Sequence, residues 1–151
     1  MKPRKINLFL LFKLPAAFFC GVRVQHIDTS SCTTKVRHRW INQNPFRSMF
    51  WAVQGMAAEL STGAMVMSSI RDMNMPISML VLNNKGTFLK KATGKIVFSC
   101  TDGVRIREAM DLAVSSGEGQ TIWLKSEGTN RAGDVVSRFE FEWTLKVKNK
   151  N

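Results

Sequence analysis

One stretch that is apolar nearly all round constrains the fold more than any other part of the chain. From Ser48 to about Val66 the sequence is rich in Met, Ala and Leu and contains no proline. It predicts a helix about 27 Å long with Ser48 as its N-cap. Such a helix must be buried on most sides, since it has no polar face for solvent. In one domain of 151 residues, a curled sheet wrapped around the helix meets that need.

The rest of the chain supplies strands for such a sheet. Alternation of apolar and polar residues predicts a hairpin early in the chain and further strands after the central helix. The predicted strands are 22–28, 33–41, 77–89, 94–100, 120–125 and 135–147, with a short amphipathic helix at 104–115 and turns at 90–93 and 127–134. The Asn-Asn-Lys-Gly sequence at 83–86 suits either a hairpin turn or a bulge inside one long strand, and we favour the bulge.

The N-terminus combines basic residues with a short apolar run at 6–12. We predict a short amphipathic helix lying over the domain, because Lys13 and Pro15 interrupt the run early. One alternative is that this helix contacts a membrane surface. The other is an export segment, in which Cys20 would be the lipid-modified cysteine of a lipoprotein. The predicted division is an N-terminal helical segment at 1–20 and a main domain at 21–148.

Charge and composition narrow the classes of function. There are 22 basic and 11 acidic residues, a net charge of +11, which favours an anionic ligand or partner. The three cysteines have no CxxC spacing, which argues against a disulfide framework or a metal site and favours the reducing cytoplasm. The only histidines, His26 and His38, lie in strand-like stretches, so a Ser-His-Asp or Cys-His site is not expected.

Glu59 is the only charged residue between Arg47 and Arg71. Burial among small and apolar neighbours would raise its pKa and make it a stronger base. A Glu paired with an arginine or a backbone donor, or one solvated where the helix surfaces, is the structural alternative. At helical spacing its face also carries Ala52, Gly55, Met56, Gly63 and Val66.

The residues before and within this helix resemble a known enzyme group. The sequence Asn-Pro-Phe-Arg-Ser-Met-Phe at 44–50, followed by a helix with an acidic residue, resembles hotdog-fold acyl-CoA thioesterases of the phenylacetate-pathway and 4-hydroxybenzoyl-CoA groups. Those enzymes carry an Asn, then His-Gly-Gly, then the acid. Asn44 matches the Asn, Phe50 the His, Trp51-Ala52 the glycines and Glu59 the acid. The segment 96–109 and the Phe-Glu-Trp-Thr-Leu-Lys ending are similar to an uncharacterised hotdog family near those thioesterases.

The resemblance implies an α+β hotdog fold, with a long central helix wrapped by a curved antiparallel sheet of five to six strands. It implies a thioester hydrolase in which Glu59 is general base or nucleophile. Backbone N–H groups of Phe50, Trp51 and Ala52 at the helix start would polarise the carbonyl. No cofactor is expected beyond the coenzyme A of the substrate. The substrate-binding residues expected on this basis are Asn44, Ser48, Phe50, Trp51, Ala52, Gly55, Met56 and Gly63.

The departures from that pattern leave a second function open. Because Phe50 and Trp51 replace the His and a glycine, a non-catalytic hotdog module that binds an acyl or other apolar ligand is the alternative. Trp51 could narrow the entrance, stack on an acyl or aromatic group, or be a core residue, and Asn44 could form the turn or bind the thioester. Ser48 and Gln54 could line the site as polar residues, and the alternatives, which we favour, are a capping Ser48 and an exposed Gln54.

The expected partners follow from the charge and the sheet. An acidic acyl carrier protein could present the thioester in place of coenzyme A. Nucleic acid is not expected, because aromatic and basic residues are not interleaved as a stacking surface. Open sheet edges predict a homodimer or tetramer with sites at the interface.

Overall fold

A computed structural model describes residues 2–148 of the chain. Its four α-helices are α1 Pro3–Lys13, α2 Pro15–Phe19, α3 Trp51–Met73 and α4 Gly103–Ser116. The six strands are β1 Arg23–Ile27, β2 Cys32–Arg37, β3 Ile77–Phe88, β4 Lys95–Cys100, β5 Gln120–Thr129 and β6 Val135–Val147. A short 3-10 helix, Trp40–Asn42, precedes α3.

The strands form one antiparallel sheet in the order β1-β2-β4-β5-β6-β3, which wraps α3. This is the predicted hotdog arrangement, and the prediction is confirmed. The preference for a bulge over a hairpin is confirmed too, because β3 pairs with β6 along its whole length with one irregularity between Val81 and Asn83. β3 lies at one edge of the sheet and β1 at the other.

Small residues and hydrogen bonds fix α3 inside the sheet. Ala57 and Ala58 are fully buried, so the strands approach the helix closely. Thr34 Oγ1 of β2 donates to the Ala57 carbonyl at 2.7 Å, and the hydroxyls of Ser61 and Ser126 lie 2.7 Å apart. These bonds satisfy polar groups that a fully wrapped helix takes out of water.

The predicted ends of α3 were wrong. The helix begins at Trp51 with Phe50 at the N-cap, and no side chain caps it. Ser48 instead belongs to the preceding turn, where Arg47 has a positive φ of 57° and the Ser48 side chain is buried against Asn44. At the other end the helix continues beyond Val66 to Met73, where Asn74 adopts the left-handed conformation that ends many helices.

The N-terminal helix lies over the domain as predicted. Ile6 and Leu10 are fully buried, and Asn7 makes two bonds to the backbone of β1. Its Nδ2 donates to the Val24 carbonyl at 3.0 Å, and its Oδ1 accepts from the Val24 N–H at 2.8 Å. Within residues 2–148 no helix has the length and hydropathy to cross a membrane.

Two strand predictions needed correction. The strand expected to reach residue 41 ends at Arg37, because Nδ2 of Asn42 donates to the carbonyls of Arg37 and Cys20 and turns the chain. His38 therefore lies outside the strand. β5 continues to Thr129 rather than Lys125, so the turn before β6 is shorter than predicted and is closed by Asn130, whose Oδ1 accepts from the N–H of Asp134 at 2.9 Å.

Candidate active site

Glu59 faces a small cavity beside α3 with a volume of about 110 Å³. One wall is Met79 of β3 and Trp143 of β6. The N-terminal region contributes Ile6, Phe9 and Leu14 to the lining. The remaining lining is formed by Leu60, Gly63, Ala64 and Met67 of α3. The cavity is therefore apolar apart from the Glu59 carboxylate.

The Glu59 carboxylate is half-buried, and within residues 2–148 it has no hydrogen-bond or ion-pair partner. Within these residues Glu59 is therefore not paired with an arginine or a backbone donor. Burial disfavours the charged form and raises the pKa of Glu59 above its ordinary value. A carboxyl group of this kind can accept a proton more readily than an exposed one.

Gly63 makes room for the indole that bounds this cavity. A Cβ atom at residue 63 would lie 3.0 Å from Cη2 and Cζ2 of Trp143 and 3.6 Å from Oε1 of Glu59. The indole is held by its Nε1, which donates to Thr62 Oγ1 at 3.1 Å. Thr62 Oγ1 in turn donates to the Glu59 carbonyl at 2.9 Å.

A second and larger cavity, of about 410 Å³, lies at the start of α3. It contains several of the predicted substrate-binding residues, Asn44, Ser48 and Trp51. Lys90 and Lys91 line it as well, and Lys90 forms an ion pair with Asp134 at 2.8 Å. Gly55, Met56 and Ala52 are not among the residues that line either cavity.

Asn44 holds the turn before α3. Its Oδ1 accepts hydrogen bonds from the backbone N–H groups of Phe46 at 2.9 Å and Ser48 at 3.2 Å. Its Nδ2 lies 3.1 Å from the Ser48 hydroxyl. These contacts place Asn44 in the turn-forming role.

Gln54 is buried, with only 4% of its surface exposed, so the expectation of an exposed Gln54 was wrong. Its Nε2 donates to the Met49 carbonyl at 3.2 Å, and its Oε1 accepts from the Ser137 hydroxyl of β6 at 2.8 Å. Gln54 thus ties the helix start to the sheet. No local pattern indicates this, because Ser137 is distant in the sequence.

The aromatic pair at the helix start is exposed. Phe50 is 43% and Trp51 57% exposed, and their rings meet edge to face at 5.8 Å. Trp51 is therefore not a core residue. The predicted set of backbone donors also changes, because the Phe50 N–H donates to the Asn42 carbonyl at 2.9 Å. Among the described residues, the N–H groups of Trp51 and Ala52 have no backbone acceptor and point from the positive end of the helix.

The structure separates the acid from these donors. Glu59 lies seven to eight residues after Ala52 and Trp51, about 10–12 Å along the helix axis at 1.5 Å per residue. Glu59 lines the smaller cavity, whereas Trp51 lines the larger one. One chain therefore does not bring Glu59 and the helix-start donors to the same small group.

Neither histidine lines the cavity at Glu59. His26 is exposed on β1 with Nε2 2.8 Å from Asp28 Oδ2. In the part of the chain that the structure describes, no three His, Cys, Asp or Glu side chains are grouped so as to hold a metal ion.

Comparison with known proteins places the chain in a family. It belongs to the family described as Domain of unknown function (DUF4442), whose sequence model matches residues 4–145. The search of curated proteins found no match.

Solved structures of similar proteins share the fold. A probable thioesterase of unknown function from Pseudomonas aeruginosa is 22% identical with a TM-score of 0.82, over 97% of both chains. A protein of unknown function from Chlorobaculum tepidum is 18% identical with a TM-score of 0.84, over 97% of this chain and 94% of that one. A putative thioesterase from Shewanella oneidensis is 11% identical with a TM-score of 0.78, over 97% of both chains. At these identities the likeness shows a common fold.

Proposed function

We propose that this member of the DUF4442 family is a thioesterase that hydrolyses acyl thioesters, with Glu59 as general base or nucleophile. The observation that carries the proposal is the Glu59 carboxylate, half-buried in an apolar cavity and without a partner among residues 2–148. A structural Glu in such a place would be expected to have a partner, since an unpaired buried carboxylate destabilises the fold. The names of two of the fold relatives, a probable and a putative thioesterase, support the same chemistry.

The two roles of Glu59 give different intermediates. As a base it removes a proton from water, the oxygen attacks the thioester carbonyl carbon, and the C–S bond breaks with the thiolate taking a proton. As a nucleophile its own oxygen attacks, the thiolate leaves, and water then cleaves the resulting anhydride. Single turnover in ¹⁸O-labelled water, followed by mass spectrometry of the protein, distinguishes them, because only the second route can place ¹⁸O in Glu59.

We infer that the complete site is built from two copies of the chain. Glu59 and the free N–H groups of Trp51 and Ala52 are too far apart within one copy to act on one carbonyl. β3 pairs with β6 on one side and lies at the edge of the sheet on the other, and its Leu80 and Leu82 are 66% and 54% exposed. Pairing of two β3 edges would cover these side chains and place the helix start of one copy near Glu59 of the other.

The substrate class follows from the cavity and the charge. The walls around Glu59 are apolar and suit a hydrocarbon or aromatic acyl group. The handle is coenzyme A or an acyl carrier protein, both of which are anionic and suit a chain with a net charge of +11. The three free cysteines fit a reducing compartment, and we place the protein in the cytoplasm.

Hydrolysis of a panel of acyl-CoAs by wild type and Glu59→Gln tests the activity. Loss of the base or nucleophile should lower kcat by at least about 100-fold. Glu118→Gln, which neutralises an exposed carboxylate on the surface, is the matched control and should keep full activity. Equal rates for wild type and Glu59→Gln would exclude the proposed role.

A non-catalytic module that binds an acyl ligand is the second candidate. The bulky, exposed Phe50 and Trp51 at the helix start favour it, since they stand where the resembling enzymes have a histidine and a glycine. In that case acyl-CoA would bind to wild type and Glu59→Gln alike, with no turnover by either.

The oligomeric state tests the shared site separately. Size-exclusion chromatography with light scattering should give a dimer or tetramer for wild type. Leu82→Lys, on the exposed β3 edge, should shift it toward monomer and reduce hydrolysis. A fully active wild-type monomer would contradict the two-copy site.

A further inference from the structure

A cleft lined by basic side chains lies on the outer face of the sheet, at the edge opposite β3. Its volume is about 380 Å³, within the range of small-molecule sites. It is formed where the end of α2 meets β1, β2 and β4. Its lining includes Gly21, Arg23, Lys35, Arg37, Arg39 and Lys95. Neither cavity of the candidate active site shares these residues.

The strand register places like charges directly opposite each other. Arg23 of β1 pairs with Lys35 of β2, and Arg37 of β2 pairs with Lys95 of β4. Because Thr34 points inward to α3, its neighbour Lys35 and the next alternate residue Arg37 point outward. Opposed like charges destabilise a sheet, so this arrangement favours the binding of a compensating anion.

Two arginines of the cleft, Arg23 and Arg39, are held against the backbone around Gly21. Nη1 of Arg23 donates to the carbonyls of Phe18 and Val22, each at 2.7 Å, and its guanidinium lies 3.5 Å from the centre of the Phe18 ring. Arg39 packs on Gly21, where a Cβ would overlap its Nη2 and where φ is +89°. Burial, and then the nearby Arg39 charge, lower the pKa of Arg23. The two guanidinium groups therefore face a common space.

Acidic side chains do not neutralise this cluster. The four ion pairs found among residues 2–148 involve none of the five basic residues of the cleft. A neighbouring cleft of about 480 Å³ shares Arg37 and Lys95 and adds Arg131 and Asn130. The positive surface thus continues past the first cleft, with room for a second anionic group.

We propose that this cleft binds a soluble ligand that carries two linked phosphate groups, such as a free or nucleoside diphosphate. One phosphate would lie between the Arg23 and Arg39 guanidinium groups, whose planar donors suit phosphate oxygens. The second would lie between Arg37 and Lys95. The inference does not depend on the thioesterase proposal, because the two sites share no residue.

Isothermal titration calorimetry with inorganic pyrophosphate and with ADP tests the site on the full chain. Wild type should bind one pyrophosphate per chain, and its melting temperature should rise with pyrophosphate because the bound anion relieves the repulsion between the basic residues. Arg37→Gln and Lys95→Gln should each weaken binding by about tenfold or more, the effect of losing one charge-assisted hydrogen bond. Circular dichroism checks that both variants are folded.

Arg107→Gln is the control, because it removes the same charge from the exposed surface of α4, away from the cleft. Its pyrophosphate affinity should stay within about twofold of wild type, since isolated exposed charges contribute little. Equal weakening in all three variants would show general electrostatic attraction and overturn the site. So would the absence of pyrophosphate and ADP binding by wild type. Phosphatidylglycerol vesicles that bind through Arg37 and Lys95 while pyrophosphate does not would reassign the cleft to a lipid headgroup and overturn the soluble ligand.

Discussion

The indole Nε1 of Trp143 donates a hydrogen bond of 3.1 Å to Oγ1 of Thr62, and this bond sets the wall of the Glu59 cavity. Trp143 belongs to β6 and Thr62 to α3. The bond therefore holds the sheet against the helix within one turn of Glu59. The shape of the cavity depends on it as well as on the apolar lining.

Thr62→Val tests that bond, because valine keeps the shape of threonine and removes the acceptor. The buried indole N–H would then be unpaired, at a cost of about 1–3 kcal/mol. A loss of each kcal/mol should lower the melting temperature by about 2–4 °C in a domain of this size. Thr62→Ser keeps the acceptor and should retain most of the stability. Equal melting temperatures for wild type and Thr62→Val would contradict a role for the bond.

Glu59→Gln should stabilise the fold at neutral pH. Burial raises the pKa of Glu59 in the folded state, so between its ordinary and its raised pKa the folded chain binds more protons than the unfolded chain. Stability contributed by this group therefore falls as pH rises through that window. The melting temperature of Glu59→Gln should exceed that of wild type by an amount that grows with pH above about 4, the unfolded value for Glu, and then levels off.

Thermal unfolding followed by circular dichroism over a range of pH values measures this difference between wild type and Glu59→Gln. A Glu59→Gln variant that is less stable than wild type at pH 7 would mean that the ionised carboxylate is stabilised by a partner.

Gly63→Ala and Gly55→Ala form a matched pair on one helix. A Cβ at residue 63 would lie 3.0 Å from two indole atoms, whereas one at residue 55 would lie 3.7 Å from Cε1 of Phe139, an ordinary contact. Alanine gains about 0.5–1 kcal/mol over glycine inside a helix. Gly55→Ala should therefore be neutral to stabilising in urea unfolding. Gly63→Ala should lose about 1–3 kcal/mol by overpacking and should reduce hydrolysis by narrowing the cavity. A stabilised, fully active Gly63→Ala would contradict the tight fit to Trp143.

The thiols should differ sharply in reactivity. Cys32 and Cys100 are buried and lie opposite each other on β2 and β4. Burial raises the pKa of Cys32 to about 12 and that of Cys100 to about 11, so little thiolate forms at pH 8. Titration of the native protein with a thiol-disulfide reagent should modify only the half-exposed Cys20 rapidly. In denaturant all three should react, and rapid reaction of three thiols in the native protein would contradict the burial.

Periodicity predicted the elements whose environment is uniform along their length. The apolar α3 is surrounded by the sheet, and the alternate residues of β6 all face the core. The pattern and the structure therefore agree for α3 and for Phe139, Phe141, Trp143 and Leu145. The start of α3 could not be predicted in the same way. The Ser48 hydroxyl bonds to Asn44 instead of capping the helix. A serine is common both in turns and at helix N-caps, so the sequence does not distinguish the two roles.

Contacts between distant segments account for the other differences. Gln54 is polar and would be exposed on an isolated helix, but Ser137 meets it only after the sheet closes. The separation of Glu59 from the helix-start donors follows from the rise of the helix and could have been calculated from the sequence. The contribution of α1 to the wall of the Glu59 cavity could not be predicted, because nothing in the N-terminal sequence specifies which side of α3 this helix covers.

The N-terminal wall has a consequence for how the cavity forms during synthesis. Ile6 and Phe9 are synthesised long before Trp143, which lines the same cavity and belongs to the last described strand. Until β6 is synthesised, β3 has no neighbour in the sheet and α1 has only part of its docking surface. The part of the cavity wall that α1 shares with Trp143 can therefore form only after β6 has been made. The pocket that holds Glu59 is thus complete only once the last described strand has joined the sheet.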